Sequence, residues 1–302
     1  MRVQSMSIVV GTRACDAACP FCVSYMTGFE QLPKGDPDDI NWRNFHTALR
    51  YAKLGGVTTV LLTGKGEPTL YPRQITAYLR ELKDQFPTIE MQTNAIRWGR
   101  EWSGGGLARE TNTYVSMWHD MGLDTVAIST VGIPAEWNKE VYLHHRKSAY
   151  PDLAITVGKL RKAGLSVRLC VMMAKGYVDN AEAVLDTVRW AREHDVGQLT
   201  FRPIRKPAQA VETAPGEYVN ARGLTADEAL AALHPIIAKG TPVLDLMHGA
   251  RIFDVAGQNV CVSDCLTHST SPDEMRQLIF FGDGRIAYSW EHKGATLLQG
   301  RG

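Results

Sequence analysis

One rhythm constrains the fold of this chain more than any other feature. Short apolar runs rich in β-branched residues alternate with helix-period segments over about 200 residues. Strands are expected at Ser5–Gly11, Val57–Thr63, Ile89–Asn94, Asp124–Ser129, Leu165–Met173 and Gln198–Ile204. Between them lie helical patterns at Trp42–Leu54, Pro72–Gln85, Thr113–Met121, Asp152–Ala163 and Asn180–His194. Gly122 and Gly164 stand where a left-handed residue closes a helix. Strands that alternate with helices in this way build a parallel sheet with helical crossovers.

The strands carry a second signal. A parallel sheet covered by helices on both faces has strands that are apolar throughout. Here Glu90, Gln92 and Asn94 share one face and Ile89 and Met91 the other. Arg168 and Cys170 oppose Val167, Leu169 and Val171, and Gln198, Thr200 and Arg202 oppose Leu199 and Phe201. One sheet face is therefore polar. A curved sheet around a polar lumen satisfies that pattern, because polar groups buried without partners cost several kcal/mol each. Ligand sites in such folds lie at the C-terminal strand ends.

After Pro203 the rhythm fades. Ala208–Gly223 reads as a connector, and Thr225–Lys239 as a helix with Thr225 and Glu228 spaced as a capping box. Gln277–Phe281 and Arg285–Trp290 read as a hairpin over the open end of a partial barrel. The expectation is an α/β fold: a partial (β/α)6 TIM-like barrel over residues 1–206 and a C-terminal α+β cap over 207–302. The glycine-rich stretch Gly99–Glu110 reads as a surface loop or a lid.

Composition removes several classes. With 33 basic and 32 acidic residues the formal charge is +1, and 44% of residues are hydrophobic, so the chain is neither disordered nor suited to stable binding of a nucleic-acid polymer. No apolar run reaches membrane-spanning length and no signal peptide is evident, so the expected location is cytoplasmic. Thiols stay reduced there.

Three of the six cysteines, Cys15, Cys19 and Cys22, fall in one C-x3-C-x2-C stretch directly after the first strand. A closed zinc site needs a fourth ligand, and no histidine is near. Most iron–sulfur clusters take four cysteines, so three would leave one iron open to a non-protein ligand. Spacing alone leaves both open, together with a non-catalytic zinc-binding module.

The triplet, with aromatic Phe21 before its last cysteine, precedes Gly64-Lys65-Gly66-Glu67-Pro68 at the end of the second strand. This order resembles the radical S-adenosylmethionine (SAM) superfamily, with Lys65 standing where the family usually has adjacent glycines. The resemblance implies an enzyme in which Cys15, Cys19 and Cys22 hold a [4Fe-4S] cluster and SAM binds its open iron. One electron, from a donor such as flavodoxin or ferredoxin, then cleaves SAM to a 5′-deoxyadenosyl radical that abstracts hydrogen from substrate. It further implies that Gly64 and Gly66 admit backbone close to the SAM amine, that Glu67 lies beside that amine, and that Phe21, Asn94 and Ser129 border the cofactor. Asn94 stands in Thr93-Asn94-Ala95, where similar proteins often have Thr-Asn-Gly.

Arg168, on the predicted lumen face, points to an anionic substrate or the SAM carboxylate, and Arg202, at the end of the sixth strand, is placed to pair with a carboxylate or a phosphate in bidentate fashion. Cys170 is a candidate hydrogen-atom donor or a small buried hydrophobe. The expected substrate is a small polar or anionic molecule, nucleotide- or sugar-like. The alternative is peptide modification with one auxiliary cluster on Cys261 and Cys265, with Cys170 as a third ligand.

Overall fold

The period-two pattern is realised strand by strand in a computed structural model, which describes residues 2–28, 32–33, 35–102, 108–211, 213–246, 249–263, 273–292 and 294–300. The repeating units begin with strand β1 (Arg2–Val9), helices α1 (Val23–Thr27) and α2 (Trp42–Leu54), and strand β2 (Thr59–Thr63). Helix α3 (Pro72–Leu82), strand β3 (Thr88–Thr93), helices α4 (Ile96–Trp102) and α5 (Ala108–Asp120) and strand β4 (Thr125–Thr130) follow. Next come α6 (Ala135–Tyr142), α7 (Leu153–Lys162), β5 (Ser166–Met173), α8 (Ala181–Glu193) and β6 (Gln198–Pro203). Val167, Leu169, Val171, Leu199 and Phe201 are fully buried, so the apolar face packs under the helices as their alternation requires. The polar face of the same strands is left to the inner side.

The C-terminal α+β extension holds α9 (Ala214–Arg222), α10 (Ala226–Lys239), β7 (Thr241–Asp245), β8 (Arg251–Val255), β9 (Gln258–Val262), β10 (Glu274–Phe280), β11 (Ile286–Ala287) and β12 (Thr296–Leu298). Its strands are built into the sheet itself. The order is β12-β11-β10-β1-β2-β3-β4-β5-β6-β9-β8-β7, and the two ends do not meet. β10 pairs in parallel with β1, and β9 in parallel with β6. The expected hairpin forms as β10 and β11, and it lies in the plane of the sheet beside β1. The extension therefore lengthens the curved wall on both sides.

Two elements differ from the sequence reading. The expected connector contains α9, whose N-cap Thr213 accepts a hydrogen bond from Gly216 N. Pro215 lies in its first turn, where a missing N–H is tolerated. The first part of the expected loop at Gly99–Glu110 is helical as well, since α4 runs to Trp102; Ser103–Leu107 lie outside the described residues. Thr225 and Glu228 form the capping box in both directions. Among the described residues no helix is long and apolar enough to cross a membrane.

Candidate active site

The cysteine loop leaves β1 at its C-terminal end and is held from several sides. Its Ala18 N donates to Tyr142 O at 3.0 Å, and Phe21 packs edge-on against Tyr142 with ring centres 6.3 Å apart. Phe21 is buried and also touches Tyr218, so its ring anchors the loop to the core. Burial above all pushes the Cys15 thiol up to about 12 and the Cys19 thiol well above its usual range; nearby negative charge, from Glu67, Asp16 and Cys22 on Cys15 and from Cys22 and Cys15 on Cys19, acts in the same direction. The three thiols thus sit close enough to feel one another's charge.

The loop after β2 meets this loop from below. A Cβ on Gly66 would lie 2.6 Å from the Thr12 carbonyl oxygen and nearer still to that of Ala14. A Cβ on Gly64 would lie 2.7 Å from the Val10 carbonyl oxygen. The close approach these glycines permit is therefore first of all to the protein's own cysteine loop. Glu67 N completes the contact by donating to Ala14 O at 2.9 Å. Gly66→Ala should displace the cysteine loop and cut iron incorporation severalfold; iron assay after reconstitution measures it, and full iron content would sink this account. Lys65, at the position that departs from the family pattern, is buried and donates to Thr27 Oγ1 at 3.3 Å and to the Gly28 carbonyl.

Glu67 is buried and heavily hydrogen-bonded. Its Oε1 accepts from Thr69 N (3.0 Å), Thr69 Oγ1 (2.7 Å) and Thr93 Oγ1 (2.6 Å), and its Oε2 from Asn94 N (2.9 Å). Desolvation raises its pKa in spite of these donors. Asn94, at the end of β3, joins the two loops: its Nδ2 donates to Asp16 Oδ1 at 2.7 Å and lies 3.7 Å from Cys15 Sγ. Its Oδ1 caps α4 by accepting from Ile96 N at 2.9 Å. Ala95 pays a backbone cost for this turn, with φ at +54°. Ala95→Gly should raise stability by up to about 1 kcal/mol, read from urea unfolding; a loss would show that the methyl group packs usefully.

Across the sheet, register aligns Ser129, Cys170, Thr200 and Cys261 on β4, β5, β6 and β9. Cys170 and Cys261 are buried. Two strand spacings separate their backbones, about 9.6 Å, beyond the ~7 Å that a disulfide spans. Cys265, the remaining member of the expected auxiliary group, lies outside the described residues. Arg168 is taken by Glu90, to which its guanidinium donates in a partly buried ion pair. Its charge is thereby offset within the wall, which weakens its expected role toward an anionic ligand. Glu90 also accepts from Gln92 Nε2 (3.3 Å), and Gln92 Oε1 accepts from Thr63 Oγ1 (2.9 Å). The Arg202 side chain has neither ion pair nor hydrogen bond among the described residues, and its Nε is buried.

The donor set fits an iron–sulfur cluster better than a single ion. Among the described residues no three His, Cys, Asp or Glu side chains converge closely enough to hold one metal ion. Zinc–thiolate bonds of about 2.3 Å would demand such convergence, whereas a four-iron cube spreads its thiolates over separate irons. The Tyr142 hydroxyl is buried without a partner among the described residues and lies near Cys19, where a thiolate or sulfide would accept its hydrogen. Glu67, buried with no cationic side chain hydrogen-bonded to it among the described residues, has a free lone-pair direction on Oε2 for an ammonium group. Asp16, Thr69, Thr93 and Tyr142 were not singled out in the sequence. Asp16 stands inside the cysteine triplet, the one local clue; the other three are brought in by the fold. A surface recess of about 410 Å³, lined by Arg161 and His194 among others, includes none of these residues.

A three-thiol loop at the first strand end of an open, largely parallel β/α sheet defines a barrel-type iron–sulfur enzyme. The chain belongs to the Radical SAM superfamily, whose sequence profile matches residues 9–191. Members are enzymes that use a [4Fe-4S] cluster and SAM, so the non-catalytic zinc-binding module falls away. No protein of curated function matches the sequence. Among solved structures, Streptococcus suis SuiB bound to S-adenosylmethionine is similar over 99% of this chain and 63% of its own, at 15% identity and a TM-score of 0.59. Native anSMEcpe with bound AdoMet matches over 96% of this chain and 75% of its own, at 15% identity and TM-score 0.56. A radical SAM methyltransferase from Sphaerobacter thermophilus matches over 78% and 64%, at 15% identity and TM-score 0.52. The chain spans about 62% of the length of SuiB as crystallised with its precursor peptide SuiA. At these identities the likeness is one of fold.

Proposed function

We propose that this chain turns the chemistry of its family on a small polar or anionic molecule, nucleotide- or sugar-like, held in the polar lumen. Cys15, Cys19 and Cys22 hold the cluster, Glu67 receives the SAM ammonium, and Asn94 fixes both loops through Asp16 and Glu67. When bound, the cluster and SAM together supply a carbon-centred radical able to take hydrogen from an unactivated C–H bond. The protein's part is to position and to exclude water. Phe21, Tyr142 and Tyr150 wall the cysteine loop with buried aromatic surface. Gly64 and Gly66 seat it on the neighbouring loop, and Ser129 borders the lumen from β4. Cys170 is a lumen thiol available to return a hydrogen atom to a product radical.

The observation that carries the small-anion reading is the charge of the wall. Arg168 is offset by Glu90, while Arg202 stands without an anionic partner among the described residues. A flavodoxin- or ferredoxin-like donor would supply the electron. Peptide modification is the second reading; it draws on the likeness to SuiB bound to a precursor peptide and to anSMEcpe bound to the Kp18Cys peptide. Anaerobic reconstitution separates the two. About four irons per chain, with 5′-deoxyadenosine rising on addition of a small-metabolite pool, support the first. About eight irons, with a response to peptides only, would replace it by the second.

A further inference from the structure

The lumen face of β6 and β9 holds polar side chains whose needs are unmet among the described residues. Arg202 Nε and Ser263 Oγ are both buried and, like Thr200 Oγ1 beside them, have no hydrogen-bond partner among the described residues. Ser263 is 3% exposed. The two are neighbours: Thr200 lies opposite Cys261 and Phe201 opposite Val262, and Ser263 N continues the ladder by donating to Phe201 O at 3.1 Å. Side chains alternate, so Arg202 and Ser263 share the face of Thr200 and Cys261. The Cys261 thiol feels the charge of both Arg202 and Arg168, which puts all three on one patch of the lumen. A buried N–H on a cation and a buried O–H beside it require an acceptor, and an anion meets both.

We propose that Arg202 and Ser263 form the subsite for a single carboxylate of the substrate. The claim rests on the reading that a small molecule enters the lumen, and it narrows that reading. The charge count selects the carboxylate. Arg168 is already offset by Glu90, so among the described residues Arg202 supplies one positive charge without an ion-pair partner. A carboxylate cancels it. A phosphate monoester, close to a dianion at neutral pH, leaves an excess negative charge in a partly desolvated wall. The subsite would hold the substrate by one end across the sheet from the cysteine loop, leaving its C–H bonds toward the lumen centre.

Calorimetric titration of the reconstituted, SAM-loaded protein with benzoate, benzamide and phenyl phosphate tests this. Benzoate should bind most tightly, phenyl phosphate more weakly, and benzamide not measurably. Arg202→Gln should weaken benzoate about tenfold or more and Ser263→Ala severalfold, with iron content and SAM affinity unchanged in both. Benzamide binding as well as benzoate, phenyl phosphate binding more tightly, no benzoate binding, or an Arg202→Gln protein that retains benzoate affinity would each overturn the subsite. Loss of iron or SAM binding in the unaltered protein would strike instead at the reading beneath it.

Discussion

Cys22→Ala should take reconstituted iron from about four per chain to trace levels and reduce SAM-dependent 5′-deoxyadenosine to background. The expectation is strong because Cys22 has little structural work of its own. It occupies the N-cap position of α1, yet its side chain makes no capping hydrogen bond there. What holds the turn is backbone: Cys22 N donates to Cys19 O, and Tyr25 N to Cys22 O, both at 3.1 Å. Alanine keeps both bonds. The variant should therefore unfold within about 0.5 kcal/mol of the equally iron-free parent in urea, as surface substitutions usually do. Iron loss with an unchanged unfolding curve separates a ligand from a packing residue. Full iron content in the variant would remove Cys22 from the assigned ligand set, and one tightly held zinc in the parent protein with no iron would overturn the cluster itself.

What the sequence reveals and what it hides divide along a physical line. Patterns that repeat within one element are legible. The alternation of Arg168 and Cys170 against Val167, Leu169 and Val171 predicts the fully buried side of β5, and Trp42–Leu54 is read with the bounds it has. Thr225 and Glu228 announce the start of α10 because both halves of the capping box are local. Partners distant along the chain leave no such trace. Nothing in Gln277–Phe281 alone indicates that it runs parallel to β1, some 270 residues earlier, since an added edge strand reads like any half-buried strand. Helix α4 is hidden by Gly99, which reads as a breaker; a Cβ there would collide with Pro151, so the glycine serves helix packing. The site divides in the same way. Its three thiols are adjacent in sequence. The donors that fix Glu67 come from two loops, and Tyr142 arrives from a helix more than a hundred residues beyond the cysteines.

Glu67 is where electrostatics and fold are hardest to pull apart, so two substitutions are needed. Glu67→Gln keeps the shape and leaves one amide oxygen to accept from Thr69 and Thr93, but it removes the charge and sets an NH2 against Asn94 N. It should retain iron and weaken SAM about ten- to hundredfold, the loss typical of a group that supports a bound centre from just outside it. Glu67→Ala leaves the Thr69 and Asn94 backbone N–H groups without acceptors in a buried place. It should cost about 3 kcal/mol of unfolding free energy as well. The pH dependence has a definite sign. Burial lifts the Glu67 pKa above the ordinary 4.5, so the cofactor-free fold holds the proton more tightly than the unfolded chain does. That contribution to stability is complete below the unfolded value and is lost as pH rises through the raised one. SAM binding runs the other way, because its ammonium favours the carboxylate: affinity should climb with pH across the interval above 4.5 and level off once Glu67 is ionised. Glu67→Gln should flatten that climb. A profile that stays steep in the glutamine protein, or SAM affinity unchanged by the substitution, would mean that the ammonium is held elsewhere and that Glu67 serves only to tie the ends of β2 and β3 together.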